Sequence, residues 1–311
     1  MDTSRRWLSQ GALLLTTLFM GAGLSAQDGG IEVFSGHTIF ESGSRISLSH
    51  LYSSRGSLFS GSEQLGNPQD SSMEEHRAVL GFNHGVTPEL SLSLLLPALQ
   101  KESGRRPSPG VTESQRNEGL GDAALIGKYR FFSEYWSKSA FHVSAIGGIE
   151  LPTGSSSERD GAGLLPFSMQ LGSGSVDVIG GLALTLSIER FRFDALALYK
   201  ANQEGSHDFS EGDFFVLGCN FAYRFLHEQY PGPSASAKVG LSWRQEDPDE
   251  LSGAELDNTG LRELRLRAGL VYHPSPEIDL VALVEVPAYG DYDGEQLALD
   301  VRTFFGFGLR F

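Results

Sequence analysis

Three places in the chain gather residue types that can do chemistry. Ser206-His207-Asp208-Phe209-Ser210 sets a nucleophile, a base and an acid side by side. A working triad needs those groups to converge with the imidazole between hydroxyl and carboxylate, which sequence neighbours rarely do. No G-x-S-x-G elbow, H-E-x-x-H pair or cysteine–histidine metal spacing occurs elsewhere. Gly119-x-Gly121-x-x-Ala124 grazes a dinucleotide fingerprint, yet it lies inside an alternating stretch with no helix after it. Asp247, Asp249, Glu250, Glu255 and Asp257 form one acidic run, and Asp291, Asp293 and Glu295 another. Such oxygens can hold Ca²⁺ or Mg²⁺ and bridge anionic lipopolysaccharide, or they can be solvated loop surface. Asp291-x-Asp293-Gly294 lacks the glutamate at the twelfth position that an EF-hand needs. The expectation is a protein without enzymatic activity, cofactor or resident metal.

Charged residues spaced by two make a different site. Lys128, Arg130, Glu150, Lys238, Arg244, Glu263, Arg265, Arg267, Asp279, Glu285, Asp300, Arg302 and Arg310 each fall on the polar side of an alternating segment. Both signs occur, so neighbouring strands can pair them across one face. If that face lines a lumen, it either imposes a field that selects solutes by charge, or the side chains fill a narrow barrel with salt bridges.

The elements that would position these residues are strands. Phe141, Val143, Ala145, Gly147, Ile149 and Leu151 share one parity and His142, Ser144, Gly148 and Glu150 the other, with Ile146 out of pattern. That is period two, not a helix. Leu264, Leu266, Ala268, Leu270 and Tyr272 alternate with Glu263, Arg265, Arg267 and Gly269; Ala237, Val239, Leu241 and Trp243 alternate with Lys238, Ser242 and Arg244. Further segments run over 44–54, 75–84, 89–99, 119–131, 173–187, 190–201, 213–226, 278–287 and 297–311. The total is about twelve strands of about ten residues or more, the length a tilted strand needs to cross a bilayer. Connectors alternate as well. Those at 55–74, 100–118, 152–172, 202–212, 246–259 and 288–296 are long and polar; those at 85–88, 132–138, 188–189 and 273–277 are short, and 227–235 is intermediate. This predicts an all-β fold: a closed antiparallel transmembrane barrel with both termini at the short-turn end.

A leader precedes the barrel. Arg5 and Arg6 stand before the apolar run Gly11–Leu24, followed by Ser25 and Ala26. That is a secretory signal peptide over residues 1–26, leaving a barrel domain at 27–311. Residues 27–43 are too few to form a plug domain. The 311-residue chain carries net charge −15, which disfavours a nucleic-acid partner. Its single cysteine, Cys219, rules out an intramolecular disulfide. Mean hydropathy of −0.16 suits a sheet with one lipid face and one wet face. Tyr129, Phe131, Phe132, Phe221, Tyr223, Phe225, Trp243 and Tyr272 suit aromatic girdles, and Gly148, Gly240, Gly269, Gly306 and Gly308 give room inside.

The last strand closes on alternating Phe305, Phe307, Leu309 and Phe311. A terminal aromatic of this kind resembles the signal that bacterial barrel-assembly machinery reads. Gly119-Leu-Gly-Asp-Ala-Ala-Leu-Ile-Gly-Lys-Tyr-Arg-Phe131, then Gly147-Gly-Ile-Glu-Leu-Pro-Thr-Gly154 and Gly172-Ser-Gly-Ser175, resemble the outer-membrane barrel family labelled "putative MetA-pathway of phenol degradation". The resemblance implies a transport-like protein of the bacterial outer membrane, of a kind found with degradation of aromatic or hydrophobic compounds. The expected role is a channel for passive or facilitated passage of small solutes, with outer-membrane lipid and lipopolysaccharide as surroundings. A closed structural or surface-interaction barrel is the alternative, and an outer-membrane hydrolase a further one.

Overall fold

The computed structural model describes residues 35–311 apart from 40, 162 and 230, so the leader read over 1–26 lies outside the described residues. Ten strands follow one another: β1 (Ser44–Gly61), β2 (Ser72–Gly85), β3 (Leu90–Ser108), β4 in two pieces (Val111–Leu120 and Ala123–Trp136), β5 (Ser139–Leu151), β6 (Asp177–Ile188), β7 (Phe191–Ala201), β8 (Phe214–His227), β9 (Ser234–Glu246) and β10 (Leu261–Ser275). Both pieces of β4 pair with β3, and the chain kinks between them at Gly121-Asp122. The last element, Ile278–Arg310, pairs with β10 through its first half and with β1 through its second. Its two ends meet, since the Arg310 amide donates to the Glu277 carbonyl at 2.8 Å. It therefore folds back near Asp293-Gly294, where Gly294 takes φ +78°, and its arms are β11 and β12.

Each strand is antiparallel to its neighbours, and the β1–β12 ladder from Arg45↔Arg310 to Ser60↔Glu295 closes the ring. An all-antiparallel ring closes only with an even number of passes, so the folded-back element is what makes the count twelve. The physical drive is backbone pairing: lipid offers no partner for an N–H or C=O, and closure leaves none unpaired at an edge. Outward positions carry the apolar set, with Leu92, Leu94, Leu125, Val178, Leu182, Leu217, Val239, Leu241, Leu266 and Val284 all exposed. Phe131, Phe225, Phe305, Phe307 and Phe311 stand out near the short-turn end. Trp243 stacks on Tyr289 near the other, at 6.5 Å between ring centroids.

The strands run further than their apolar patterns. Residues 55–74, 100–118 and 288–296, expected as long connectors, are largely strand. Pairing needs only backbone partners, so once outside lipid the wall continues through polar sequence such as Glu113 and Arg116, which are exposed. The long connectors that remain are 152–176, 202–213 and 247–260. Both barrel ends, Ser44 and Phe311, are hydrogen-bonded to each other at the short-turn end.

Leu182 sits mid-strand on the outer face, opposite Ala145 and Ala197. Leu182→Arg should cost about 2–4 kcal/mol, the penalty for a cation on the lipid face at the bilayer midplane. Leu182→Phe should be near neutral. Equilibrium unfolding from phospholipid vesicles in denaturant reads both; equal stabilities would deny that this face meets lipid.

Candidate functional site in the barrel lumen

The interior is divided along its length. At the short-turn end Ser35–Ile39 lies inside the ring against β3–β6. The Gly36 amide donates to Thr185 Oγ1 at 3.0 Å and the Ile39 amide to Ser91 Oγ at 2.8 Å. Lys128 Nζ donates to the carbonyls of Ser35 (2.9 Å) and His37 (3.2 Å), and Ser144 Oγ to that of Gly36 (2.7 Å). The His37 ring packs on His142, centroids 4.6 Å apart. Residues 27–43 are too few for a plug domain; Ser35–Ile39 needs no core of its own, because it borrows partners from the polar inner face.

Above this segment the wall carries ion pairs. Lys200 Nζ sits 2.6 Å from Glu150 and 3.0 Å from Asp177, with all three buried. Glu263 receives Arg265 Nε at 2.7 Å and the Tyr292 hydroxyl at 2.6 Å. Glu285 receives Arg267 Nε at 2.6 Å and lies 3.3 Å from Arg302. Arg244 bonds Glu246 at 2.8 Å and covers the Phe214 ring at 4.1 Å. Near the short-turn end Asp279 collects Arg45 (3.2 Å), Arg310 (3.0 Å) and His273 (2.7 Å). Arg45 lies so close over Gly308 that a Cβ there would meet its guanidinium at 2.5 Å.

Among the residues singled out from sequence, Arg130 reaches the Pro88 carbonyl at 2.8 Å and joins no ion pair among the described residues. Asp300 is the extra residue of a bulge, since Ser54 pairs Val301 while Arg55 pairs Leu299. It stands beside Gly56, outside the ion-pair network. That same bulge turns Leu299 inward, where it is buried. Strict alternation over 297–311 is broken by this bulge, and Leu299 does not follow it. Arg55, Glu75, Arg77, Lys101, Asp177, Asp194 and Lys200 are buried as well; Arg55 and Lys101 lie in stretches whose polar sequence reads as connector, and the others on strands whose apolar alternation is less regular.

The inner face is not polar throughout. Val79, Leu95, Ile126, Ile146, Ile179, Leu196 and Leu198 form one buried cluster on β2–β7. Ile146, out of pattern in sequence, belongs to it. The long-loop mouth is also apolar: Leu165 and Met169 from the 152–176 connector pack with Met73 and Leu297 of the wall. Lys101 Nζ holds the carbonyls of Ser168 (2.9 Å) and Gln170 (2.6 Å), and Phe167 stacks on Phe209 at 3.9 Å.

The base of this connector is fastened by the glycine-rich blocks. One Asp122 carboxylate accepts from the amides of Gly154 (2.8 Å) and Ser173 (2.7 Å). Thr153 Oγ1 donates to the Gly121 carbonyl at 2.9 Å and accepts from the Ala123 amide at 2.8 Å. A Cβ on Gly154 would lie 2.7 Å from the Leu171 carbonyl oxygen, and one on Gly172 2.5 Å from Asp122. Glycine is needed at both for the three segments to touch.

Ser206, His207 and Asp208 do not converge on one another. The Ser206 hydroxyl bonds Ser156 (2.8 Å), the His207 ring bonds Ser157 (3.0 Å), and the Asp208 carbonyl accepts from Ser252. No group of His, Cys, Asp and Glu among the described residues is arranged to hold a metal. The 202–213 and 247–260 connectors instead clasp each other through Phe209–Ser210, Glu250–Leu251 and Ala254–Glu255. Asp249 accepts from the Gly212 amide at 2.8 Å, and its own amide donates to Thr259 Oγ1 at 2.9 Å.

The family described as "Putative MetA-pathway of phenol degradation" matches residues 74–299. Among solved structures, an outer membrane channel named COG4313 from Pseudomonas putida F1 is 14% identical, covers 88% of this chain and 97% of its own, and superposes with a TM-score of 0.68. The beta domain of the Bordetella autotransporter BrkA is 12% identical over 87% of this chain and 100% of its own, at 0.47. At these identities the first likeness establishes the fold. No curated protein is matched by sequence.

Burial pushes the Asp249 carboxyl up to about 8, helped by the negative Glu246 and Glu211 nearby. A raised acid favours the joined loops when protonated: the contribution is complete below the ordinary carboxylate value near 4 and is lost as pH rises through about 8. Exchange of the Gly212 amide should therefore quicken between neutral and mildly alkaline pH. In Asp249→Asn that quickening should vanish beyond the intrinsic pH dependence of exchange. An unchanged profile in the variant would remove Asp249 as the cause.

Proposed function

The chain belongs to the family described as "Putative MetA-pathway of phenol degradation", and from that premise we propose that it is a channel of the bacterial outer membrane, passing small solutes, hydrophobic and aromatic compounds among them, without energy coupling. On this reading residues 1–26 are a cleaved leader, the short turns face the periplasm and the long connectors the outside. The girdled belt takes outer-membrane lipid and lipopolysaccharide, and the strand ending Phe305, Phe307, Leu309 and Phe311 is the segment the assembly machinery reads. The neighbour with the same fold carries the name of an outer membrane channel, which agrees with this assignment.

One observation carries the reading: two stretches of chain from outside the wall share the lumen with the wall's own inward side chains. Ser35–Ile39 and the Leu165–Met169 stretch cross the two ends of the ring and are fastened by side chains such as Lys128, Lys101 and Asp122. A barrel that served only as a scaffold could close on its own inward side chains. Here the apolar contacts of Met169 at the outer mouth support the alternative of a shut lumen, and conductance separates the two. No catalytic role is assigned, since the one Ser, His and Asp grouping does not converge.

Purified protein in planar bilayers should show single-channel steps. Lys128→Ala releases two carbonyls of the inner segment, and Asp122→Ala removes charge-assisted bonds worth about 1.5–3 kcal/mol each from the outer clasp. Each variant should raise mean conductance or open probability, the first at the periplasmic end and the second at the outer mouth. An absence of steps in the wild type and in both variants, together with no flux of phenol into vesicles, would leave the shut barrel as the reading.

A further inference from the structure

A cavity of about 380 Å³ opens at the short-turn end between the Ser35–Ile39 segment and the wall of β6–β12. Its wall is built in rows. Across the ladders β7, β8, β9 and β10, Arg192 stands opposite Ala222, Ala222 opposite Lys238, and Lys238 opposite Gly269. The row alternates cation and small residue, so with strands about 4.8 Å apart the two cations are spaced by roughly 10 Å with a hollow between them. One row nearer the periplasm, Arg224 faces Ser236, and its amide bonds the Arg190 carbonyl.

The charges of this hollow do not balance. Arg192 is held by Asp194, which also takes the Thr185 hydroxyl. The rim carboxylates are engaged: Glu189 with Lys138 at 2.8 Å, and Asp279 with Arg45, Arg310 and His273. Lys238, Arg224 and Arg190 make no side-chain hydrogen bond or ion pair among the described residues. Lys238 and Arg224 are half-buried, and the carboxylate that attracts Lys238, Asp194, is already bonded to Arg192 and Thr185. Burying a cation without a counter-charge is costly, and an anion placed between them relieves that cost. Apolar side chains stand among the polar ones of the lining: Ala222 between the two cations, and Ile39, Val271 and Val281 beside His37, Thr38 and His273. The volume lies in the range of small-molecule sites.

We propose that this vestibule is a binding site for a small organic monoanion, a carboxylate with an apolar body. Its carboxylate sits between Lys238 and Arg224 and its body lies against Val271 and Val281. The assignment deepens the channel reading by naming the class of solute that the periplasmic end retains, and it rests on the lumen being the solute path. Equilibrium binding tests it independently of conduction: a protein that binds without conducting keeps the site and loses the channel, and one that conducts without binding does the reverse.

The test is calorimetric titration of the full mature protein in detergent, in low-salt buffer, with benzoate, acetate and benzyl alcohol as probes. Benzoate should bind, acetate more weakly for want of an apolar body, and benzyl alcohol more weakly for want of charge. Lys238→Met and Arg224→Met keep much of the side-chain bulk, and each should weaken benzoate about ten-fold, as expected when one charged partner is lost. Arg105→Ala, at the far end of the barrel where Arg105 pairs with Glu113, should leave affinity unchanged. Heat-modifiable migration of every variant keeps unfolding from passing as loss of binding. Equal affinity for benzoate and benzyl alcohol, or benzoate affinity untouched by both methionine substitutions, overturns the site.

Discussion

Backbone hydrogen bonding in a medium without water is the constraint on which the rest of the structure depends. Each peptide group in the belt must find its partner on a neighbouring strand, so the sheet has to close. Closure with antiparallel neighbours forces an even count. The 33-residue element Ile278–Arg310 meets that demand by turning on Asp293-Gly294. It also fixes which way side chains point: a residue of one parity meets lipid and its neighbour meets the lumen, with no third environment available until the strands leave the belt.

Inside, the same closure creates the second problem of the molecule. A ring of twelve strands encloses too much space for side chains of its own strands to fill as tightly as a small barrel does, and too little for a wide porin channel. Three materials share the space. Ion pairs such as Lys200 with Glu150 and Arg302 with Glu285 neutralise charges that would be costly alone. The apolar cluster around Leu95, Ile146 and Leu198 narrows one wall. Two pieces of chain from outside the wall occupy the ends. Where the three do not meet, between the inner segment and β7–β10, the vestibule remains, with cations in excess among its described lining residues.

How much of this was legible follows from the period of two. The barrel, the outward faces of β5, β9 and β10, the girdle aromatics and most of the charged inner face can be read from alternation, because lipid tolerates no exception over several residues. Legibility fails where alternation carries no information. Polar continuations such as Arg105–Ser108 look like loop because water accepts both faces of a strand. A bulge at Asp300 shifts parity by one, and nothing local announces it. Inward apolar residues such as Ile146 resemble outward ones in type. The Ser35–Ile39 segment has no pattern of its own, since it is held by hydroxyls and a lysine that belong to distant strands.

The residues that carried the family resemblance occupy a place that neither the lipid belt nor the ion pairs explain. Gly121, Asp122, Thr153, Gly154, Gly172 and Ser173 come from three separate stretches and meet at one clasp under the 152–176 connector. Backbones approach there so closely that a single methyl group on Gly154 or Gly172 would collide with main chain or with the carboxylate. Belt positions ask only for apolarity, and lumen charges ask only for a partner of opposite sign, so many sequences satisfy either. The clasp asks for particular residues, which is why it is the part of the chain that reads as a motif. Its mechanical effect is to set where Leu165 and Met169 enter the outer mouth. The most sequence-specific part of this barrel therefore fixes the connector at the outer mouth, while the solute contacts proposed for the vestibule fall to less patterned residues lower down.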